Sequence, residues 1–326
     1  MKNEKIIREK QLQPRTETAE SETFFLIDLK NDYAFKRVFG TPGHEDDLLL
    51  LLRALLPDKH IKSVHLGPQE QKSDRKGAQN GIFDIQCDTD DGSKLAIEMQ
   101  VCPQADFNDR MVFYSSFPIR NHAGNGVLIK DGKQQPSIYK LPPIYTIGIL
   151  NFELEGVPKS GRVIRNFSIR EDEDGNGQFT DSVHYITVEL PKFRKTLNKL
   201  TTPQDFMLYL LKHSREMREI PKEFVGKGFD KLLETCKFAN MTEIEQREYI
   251  SRMKAERDRE GQLNYAESRG EARGEARGMA KGIAQGLAQG LAKGIEKTAK
   301  AMKADGLPAD AISKYTGLTP EQIEQL

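Results

Sequence analysis

The chain has no tryptophan, only three cysteines, and no apolar run near the length of a membrane span. The missing tryptophan excludes nothing. Cys87, Cys102 and Cys236 are odd in number and show no CxxC or zinc-type spacing, so they read as reduced thiols of a cytosolic protein. A bilayer-spanning helix needs about 20 apolar residues, and no run here approaches that length. An excess of either charge is also lacking: Lys+Arg and Asp+Glu each total 49 in 326 residues. That balance argues against a protein that coats nucleic acid non-specifically, yet leaves room for a local basic groove. Residues 1–22 are polar and charged without the apolar segment of a secretory signal, and read as a disordered arm.

What is present is a chain long enough for about two domains and a sizeable core. Its most informative stretch is a hairpin pattern. Ile82-Phe83-Asp84-Ile85-Gln86-Cys87 and Leu95-Ala96-Ile97-Glu98-Met99-Gln100 both alternate apolar and polar residues, and Asp90-Asp91-Gly92-Ser93 between them is a turn signal. A hairpin folded about Asp91 sets Asp84 opposite Glu98, with Gln100 on the same face. Phe83, Ile85, Cys87, Leu95, Ile97 and Met99 then point to the other face, towards a core. Two carboxylates about 5 Å apart across a strand pair repel. A bound divalent cation removes that cost, because hard cations take carboxylate and carbonyl oxygens. An edge hairpin with a solvated polar face is the other reading of the same pattern.

Around this hairpin the order is helix, helix, strand, strand, strand, helix, strand, an α/β layer arrangement. Leu29–Gly40 predicts a short helix with Asp32 and Lys36 as an i, i+4 pair, though Asp32 equally suits a helix N-cap. The leucine-rich Glu45–Leu56 predicts a buried helix stopped by Pro57, and Ile61–Leu66 a strand. The polar Gln69–Asn80 stretch, with Lys72, reads as a loop beside the hairpin. Asp106–His122 predicts a helix that Pro118 ends or kinks. Ile144–Leu150 reads as a buried central strand, followed by strands at Val163–Arg170 and His184–Leu190. Helices are expected over Pro203–Glu219, Phe229–Ala239 and from Glu243 onward. In the tail, Gly270, Gly274, Gly278, Gly282, Gly286, Gly290 and Gly294 recur every fourth residue, with Met279, Ile283, Leu287, Leu291 and Ile295 each following a glycine. Each interior glycine costs a helix about 1 kcal/mol relative to alanine. A helix that pairs with a second copy or docks on the body, or a low-complexity linker, accounts for the repeat. Residues 305–326 read as two short helices, too few for a complete DNA-reading domain. The six histidines show no metal spacing, and no Ser/His/Asp order or P-loop occurs.

Several features line up. Lys30-Asn31-Asp32-Tyr33-Ala34-Phe35-Lys36 precedes Phe39-Gly40, an aspartate on a strand follows, then Ile97-Glu98-Met99-Gln100, then Arg110 ahead of Phe113-Tyr114. Together these resemble the Rpn family of recombination-promoting nucleases, also described as transposases, in the PD-(D/E)XK nuclease superfamily. The resemblance covers residues 24–155, and the glycine-repeat tail is similar to tails in that family. It implies a restriction-endonuclease-like mixed sheet flanked by helices over residues 23–200. A helical region at 201–262 and a Gly/Ala-repeat helix with a short helical tail at 263–326 would follow. It also implies a cytoplasmic enzyme that hydrolyses DNA phosphodiesters with Mg²⁺ or Mn²⁺ in recombination or mobile-element biology. Asp84 matches the first catalytic aspartate and Glu98 the second acid, while Gln100 stands where most of the superfamily has lysine. These three would bind the metal, and Asp32 is where a further acid is often supplied. Lys36 or Lys72 would replace the missing positive charge, and Arg110 and Tyr114 would contact phosphate or order the carboxylates. Arg110 also reads as a surface salt bridge and Tyr114 as core. A DNA-binding or assembly protein that keeps the fold without cutting is the main rival, and an RNA-directed nuclease is a third reading.

Overall fold

The computed structural model describes residues 25–71, 81–122, 126–130, 133–173, 175 and 177–326. The expected arm at residues 1–22 and Lys72 lie outside them. Two compact units divide the chain, one ending at Met253 and one running from Lys254 to Leu326.

In the first unit the order is α1 (Asp32–Phe39), α2 (Glu45–Leu55), β1 (Val64–Leu66), β2 (Glu70–Gln71), β3 (Gly81–Ile82), β4 (Ile85–Thr89), β5 (Lys94–Gln100) and α3 (Phe107–His122). There follow β6 (Gly126–Lys130), β7 (Lys133–Ser137), β8 (Ile144–Leu150), β9 (Ile164–Ser168), β10 (Val183–Glu189), α4 (Pro203–His213), α5 (Asp230–Cys236) and the start of α6 (Glu243–Ala304). Six strands form a mixed sheet in the order β1-β4-β5-β8-β10-β9. The β4–β5 hairpin is antiparallel, while β5, β8 and β10 run parallel. β8 lies between two parallel neighbours and all seven of its residues are buried, as its continuous apolar run predicts.

Strand alternation divides the sheet's side chains. Ile85, Cys87, Leu95, Ile97, Met99, Ile147, Ile149, Ile186 and Val188 join the main core with Phe35, Leu51, Leu52, Phe206, Leu210 and Leu233 of α1, α2, α4 and α5. Burying each large apolar side chain contributes about 1.5–3 kcal/mol. Ala96 and Leu150 meet α3 on the opposite face, through Tyr114 and Phe117 and through Phe107 and Met111. That buried row also explains why Pro118 neither ends nor interrupts α3, which continues to His122. The packing of four large side chains offsets the roughly 3 kcal/mol that an interior proline costs.

Three expectations need correction. Ile82 does not belong to the hairpin: Gly81–Ile82 pairs with Glu70–Gln71, and the Phe83 N–H donates to Gln69 O. The chain changes partner at Phe83–Asp84, which breaks the two-residue alternation there. Phe83 therefore packs with Ala96, Tyr114 and Phe117 instead of sharing a face with Ile85. α4 ends at His213, before the expected Glu219, because the buried Ser214 hydroxyl accepts the Leu29 N–H and the chain turns. The β6–β7 hairpin has no counterpart in the sequence reading, since Lys133-Gln134-Gln135-Pro136 carries no strand pattern.

In the second unit α6 continues to Ala304 and is followed by α7 (Ala309–Thr316) and α8 (Pro320–Glu324). Ala299, Ile312 and Ile323 form a small core, and Thr319 caps α8 through a capping box with Gln322. The glycine repeat is helical throughout and its apolar row is exposed, with Leu287 at 75% and Leu291 at 66%. Among the described residues no helix is long and apolar enough to cross a membrane.

Candidate functional site

The hairpin register pairs Ile85 with Ile97 and Cys87 with Leu95, so Asp84 sits across from Glu98 one step beyond the last paired residues. The symmetry about Asp91 is met. Asp84 donates its N–H to Glu98 Oε1 at 3.2 Å, and Met99 donates its N–H to Asp84 Oδ2 at 2.7 Å. Both carboxylates are buried, Asp84 at 7% exposure and Glu98 at 2%. The solvated-face reading does not describe them.

Two cations from different helices meet this pair. On α1 the cap is Asn31, whose side chain accepts the Ala34 N–H, so Asp32 is not the cap and its carboxylate is free to reach Lys36. Lys36 Nζ bridges Asp32 Oδ1 at 2.9 Å and Asp84 Oδ1 at 3.0 Å. α1 approaches β4 closely enough that a Cβ on Gly40 would lie 3.2 Å from Ile85 Cγ1 and 2.9 Å from Lys36 O. From α3, Arg110 Nη2 donates to Glu98 Oε2 at 2.8 Å and Nη1 to Gln104 Oε1 at 3.2 Å. The guanidinium lies over the Tyr114 ring, 5.0 Å from its centroid, and Tyr114 is itself part of the core. Gln100 is buried on the face of Glu98, and its Nε2 donates to Cys102 O at 3.1 Å.

Burial dominates the electrostatics. It pushes the Asp84 carboxyl up to about 6, against the pull of Lys36. Glu98 is pushed up to about 8, first by burial and then by the charge of Asp84, with Arg110 opposing. Burial draws Lys36 down, but Asp84 and Asp32 outweigh it and hold the ammonium above its ordinary value. Arg110 follows the same pattern, with Glu98 as the raising charge. The site therefore holds two acids that lack enough counter-charge and two firmly protonated cations.

Among the described residues no group of three or more His, Cys, Asp or Glu side chains converges. The donors at this spot are two carboxylates and the Gln100 amide oxygen, all hard ligands suited to a divalent cation. Gly148 and Gln104 were not anticipated. Gly148 pairs with Glu98 on β8, and a Cβ there would lie 2.7 Å from Phe107 Cζ, so glycine admits α3 close to the sheet. A glycine inside the Ile144–Leu150 run was the available signal.

A family model described as PD-(D/E)XK nuclease family transposase matches residues 29–266. No curated protein and no solved structure matches the chain.

Proposed function

The chain belongs to the PD-(D/E)XK nuclease family transposases, with the mixed sheet and flanking helices of that fold, and on that premise we propose that it is a divalent-metal-dependent DNA endonuclease. The observation that carries this reading is the buried Asp84–Glu98 pair, with Lys36 and Arg110 on opposite sides. Asp84, Glu98 and the Gln100 oxygen would hold Mg²⁺ or Mn²⁺. When bound, such an ion polarises a phosphodiester and lowers the pKa of a coordinated water.

The chain's own residues have separable roles in this reading. Lys36 carries the positive charge that Gln100 lacks, and stays protonated between Asp84 and Asp32, so it stabilises phosphate charge and does not act as a base. Asp32 orients Lys36. Arg110 fixes the Glu98 carboxylate, and the Tyr114 ring beneath the guanidinium limits its movement. With Nε2 committed to Cys102, Gln100 offers Oε1 as an acceptor for the attacking water or the cation.

The family supports a role for the cutting in recombination or mobile elements, and the free Cys87, Cys102 and Cys236 support a cytoplasmic setting. The exposed Met279–Leu291 row of α6 supports self-association through the tail. A non-cutting DNA-binding or assembly protein is the second reading, favoured by one observation: all four carboxylate oxygens of the pair already have partners within the chain. Nicking of supercoiled plasmid with Mg²⁺ or with chelator decides between them. Metal-dependent nicking supports the endonuclease, and plasmid bound but intact under both conditions supports the rival.

A further inference from the structure

A second basic feature lies outside the carboxylate site. The stretch from Leu190 to Thr202 carries Lys192, Arg194, Lys195 and Lys199 and no acid. It leaves β10 just after Glu189, which pairs with Leu150, as Gln100 does from the other side. The stretch therefore emerges at the same end of the sheet as the acids, two strand spacings or about 10 Å from Gln100.

This stretch is held in place. Lys195 Nζ contacts Asp205 at 2.7 and 2.8 Å, and the same carboxylate accepts the Thr201 and Thr202 N–H groups. Lys212 Nζ donates to Pro191 O at 3.3 Å and Phe193 O at 2.6 Å. Between the pinned loop and α4 lies a cavity of about 550 Å³, lined by Arg194, Lys195, Asn198, Tyr209, Lys212 and His213, with Glu223 its one acid. The Tyr209 and His213 rings lie 4.6 Å apart, tilted by 38°, on its α4 wall. Lys212 is held below its ordinary value by burial first, then by the nearby charges of Arg194 and Lys30. Lys192 and Lys195 are each paired with an acid, Glu189 and Asp205, so the charge offered to a polyanion is that of Arg194, Lys199 and Lys212.

We infer that this cleft is a binding site for the phosphate backbone of nucleic acid, holding the strand beyond the point of cutting. A balanced net charge gives no general attraction to DNA, so a fixed local cluster of cations has to supply it. Both places lie at the same end of the sheet, the arrangement a single nucleic acid needs to meet both. The inference rests on the nuclease reading for its substrate, but not for its test.

The test is duplex binding by the full chain in chelator, read by fluorescence anisotropy over a salt series. Arg194→Glu with Lys199→Glu changes two exposed side chains that pin nothing, and Arg194→Ala serves as a milder second variant. The expected result is a Kd at least about tenfold weaker for the double variant. The slope of log K against log salt should also shrink by about 0.9 for each phosphate that is no longer neutralised. Cleavage at saturating DNA should keep its kcat while KM rises. Unchanged affinity and slope in both variants would overturn the inference, even if the parent cuts DNA and the nuclease reading stands. If the parent binds but never cuts, loss of binding in the variants still supports the cleft and the nuclease reading alone fails. Inorganic phosphate and a mononucleotide are titrated in parallel. Tight binding of either one, lost in Arg194→Ala while duplex affinity is unchanged, would assign the cleft to a small anion and overturn the inference.

Discussion

Asp84 donates its backbone N–H to the carboxylate of Glu98 at 3.2 Å, so the second acid is held by the backbone of the first. The Met99 N–H returns the bond to Asp84, and the pair is positioned by the hairpin ladder itself. Preorganised charge of this kind needs no rearrangement when a reacting group arrives. It is also unstable on its own terms, because burial opposes ionisation of both acids.

That opposition sets a pH dependence. Asp84 titrates at about 6 and Glu98 at about 8 in the fold, above ordinary carboxyl values near 3.8 and 4.5. These two acids therefore bind more protons in the folded than in the unfolded chain between about pH 4 and pH 8, and the stability they contribute falls as pH rises through that window. Metal-free protein should melt at a lower temperature at pH 8 than at pH 5. Mg²⁺ should raise the melting temperature more at pH 8, where Asp84 is ionised and Glu98 is partly so, by mass action on the native state. A melting temperature indifferent to Mg²⁺ at both pH values would remove the metal from the account.

Lys36 should behave as the missing lysine of the strand motif. Lys36→Met is expected to slow single-turnover cleavage about 100-fold, near 2.7 kcal/mol of barrier, with little change in DNA affinity. Gln100→Ala should cost at least about tenfold. Adding Gln100→Lys to Lys36→Met returns a cation to the strand and should recover part of the loss. Full activity in Lys36→Met would leave the Lys36–Asp84 contact with a structural role only.

Arg110→Ala leaves Glu98 buried beside Asp84 without its cation. Arg110 is partly exposed, so the expected loss of stability is about 1–2 kcal/mol, short of the full cost of breaking a buried pair. Denaturant unfolding measures it. Glu98→Gln in the same chain should abolish most of that loss, and additive effects of the two changes would contradict the coupling.

Much of this site was legible because its geometry is local. The Asp84–Glu98 register follows from a symmetric turn and a period of two, and the Asp32–Lys36 pair follows from one helical turn. The contact between Lys36 and Asp84 joins α1 to the start of β4, and no local pattern in the sequence brings those two elements together. Phe83 was misassigned because alternation holds only while a strand keeps one partner. The cleft beside α4 depends on Lys195 and Lys212 crossing to distant backbone and acid groups, which a charge pattern does not reveal.

The tail yields a prediction independent of the site. Glycine spacing of four exceeds the helical 3.6, so the small and apolar rows wind around α6 and a long pair of such helices would coil right-handed. Replacing Leu287 and Leu291 by lysine should lower the oligomeric state seen by light scattering, with nicking by the first unit retained. A monomeric parent whose tail is already cleaved readily by protease would establish the linker reading.

The most direct test of the central claim is the single-turnover cleavage rate of Asp84→Asn in saturating Mg²⁺, compared with the parent. Asparagine keeps the size of the side chain and the chance of a bond to the Met99 N–H, and the variant should fold with undiminished stability. The expected result is a fall of about 1,000-fold or more, near 4 kcal/mol of barrier. A folded Asp84→Asn protein that cuts within a few-fold of the parent rate would contradict it.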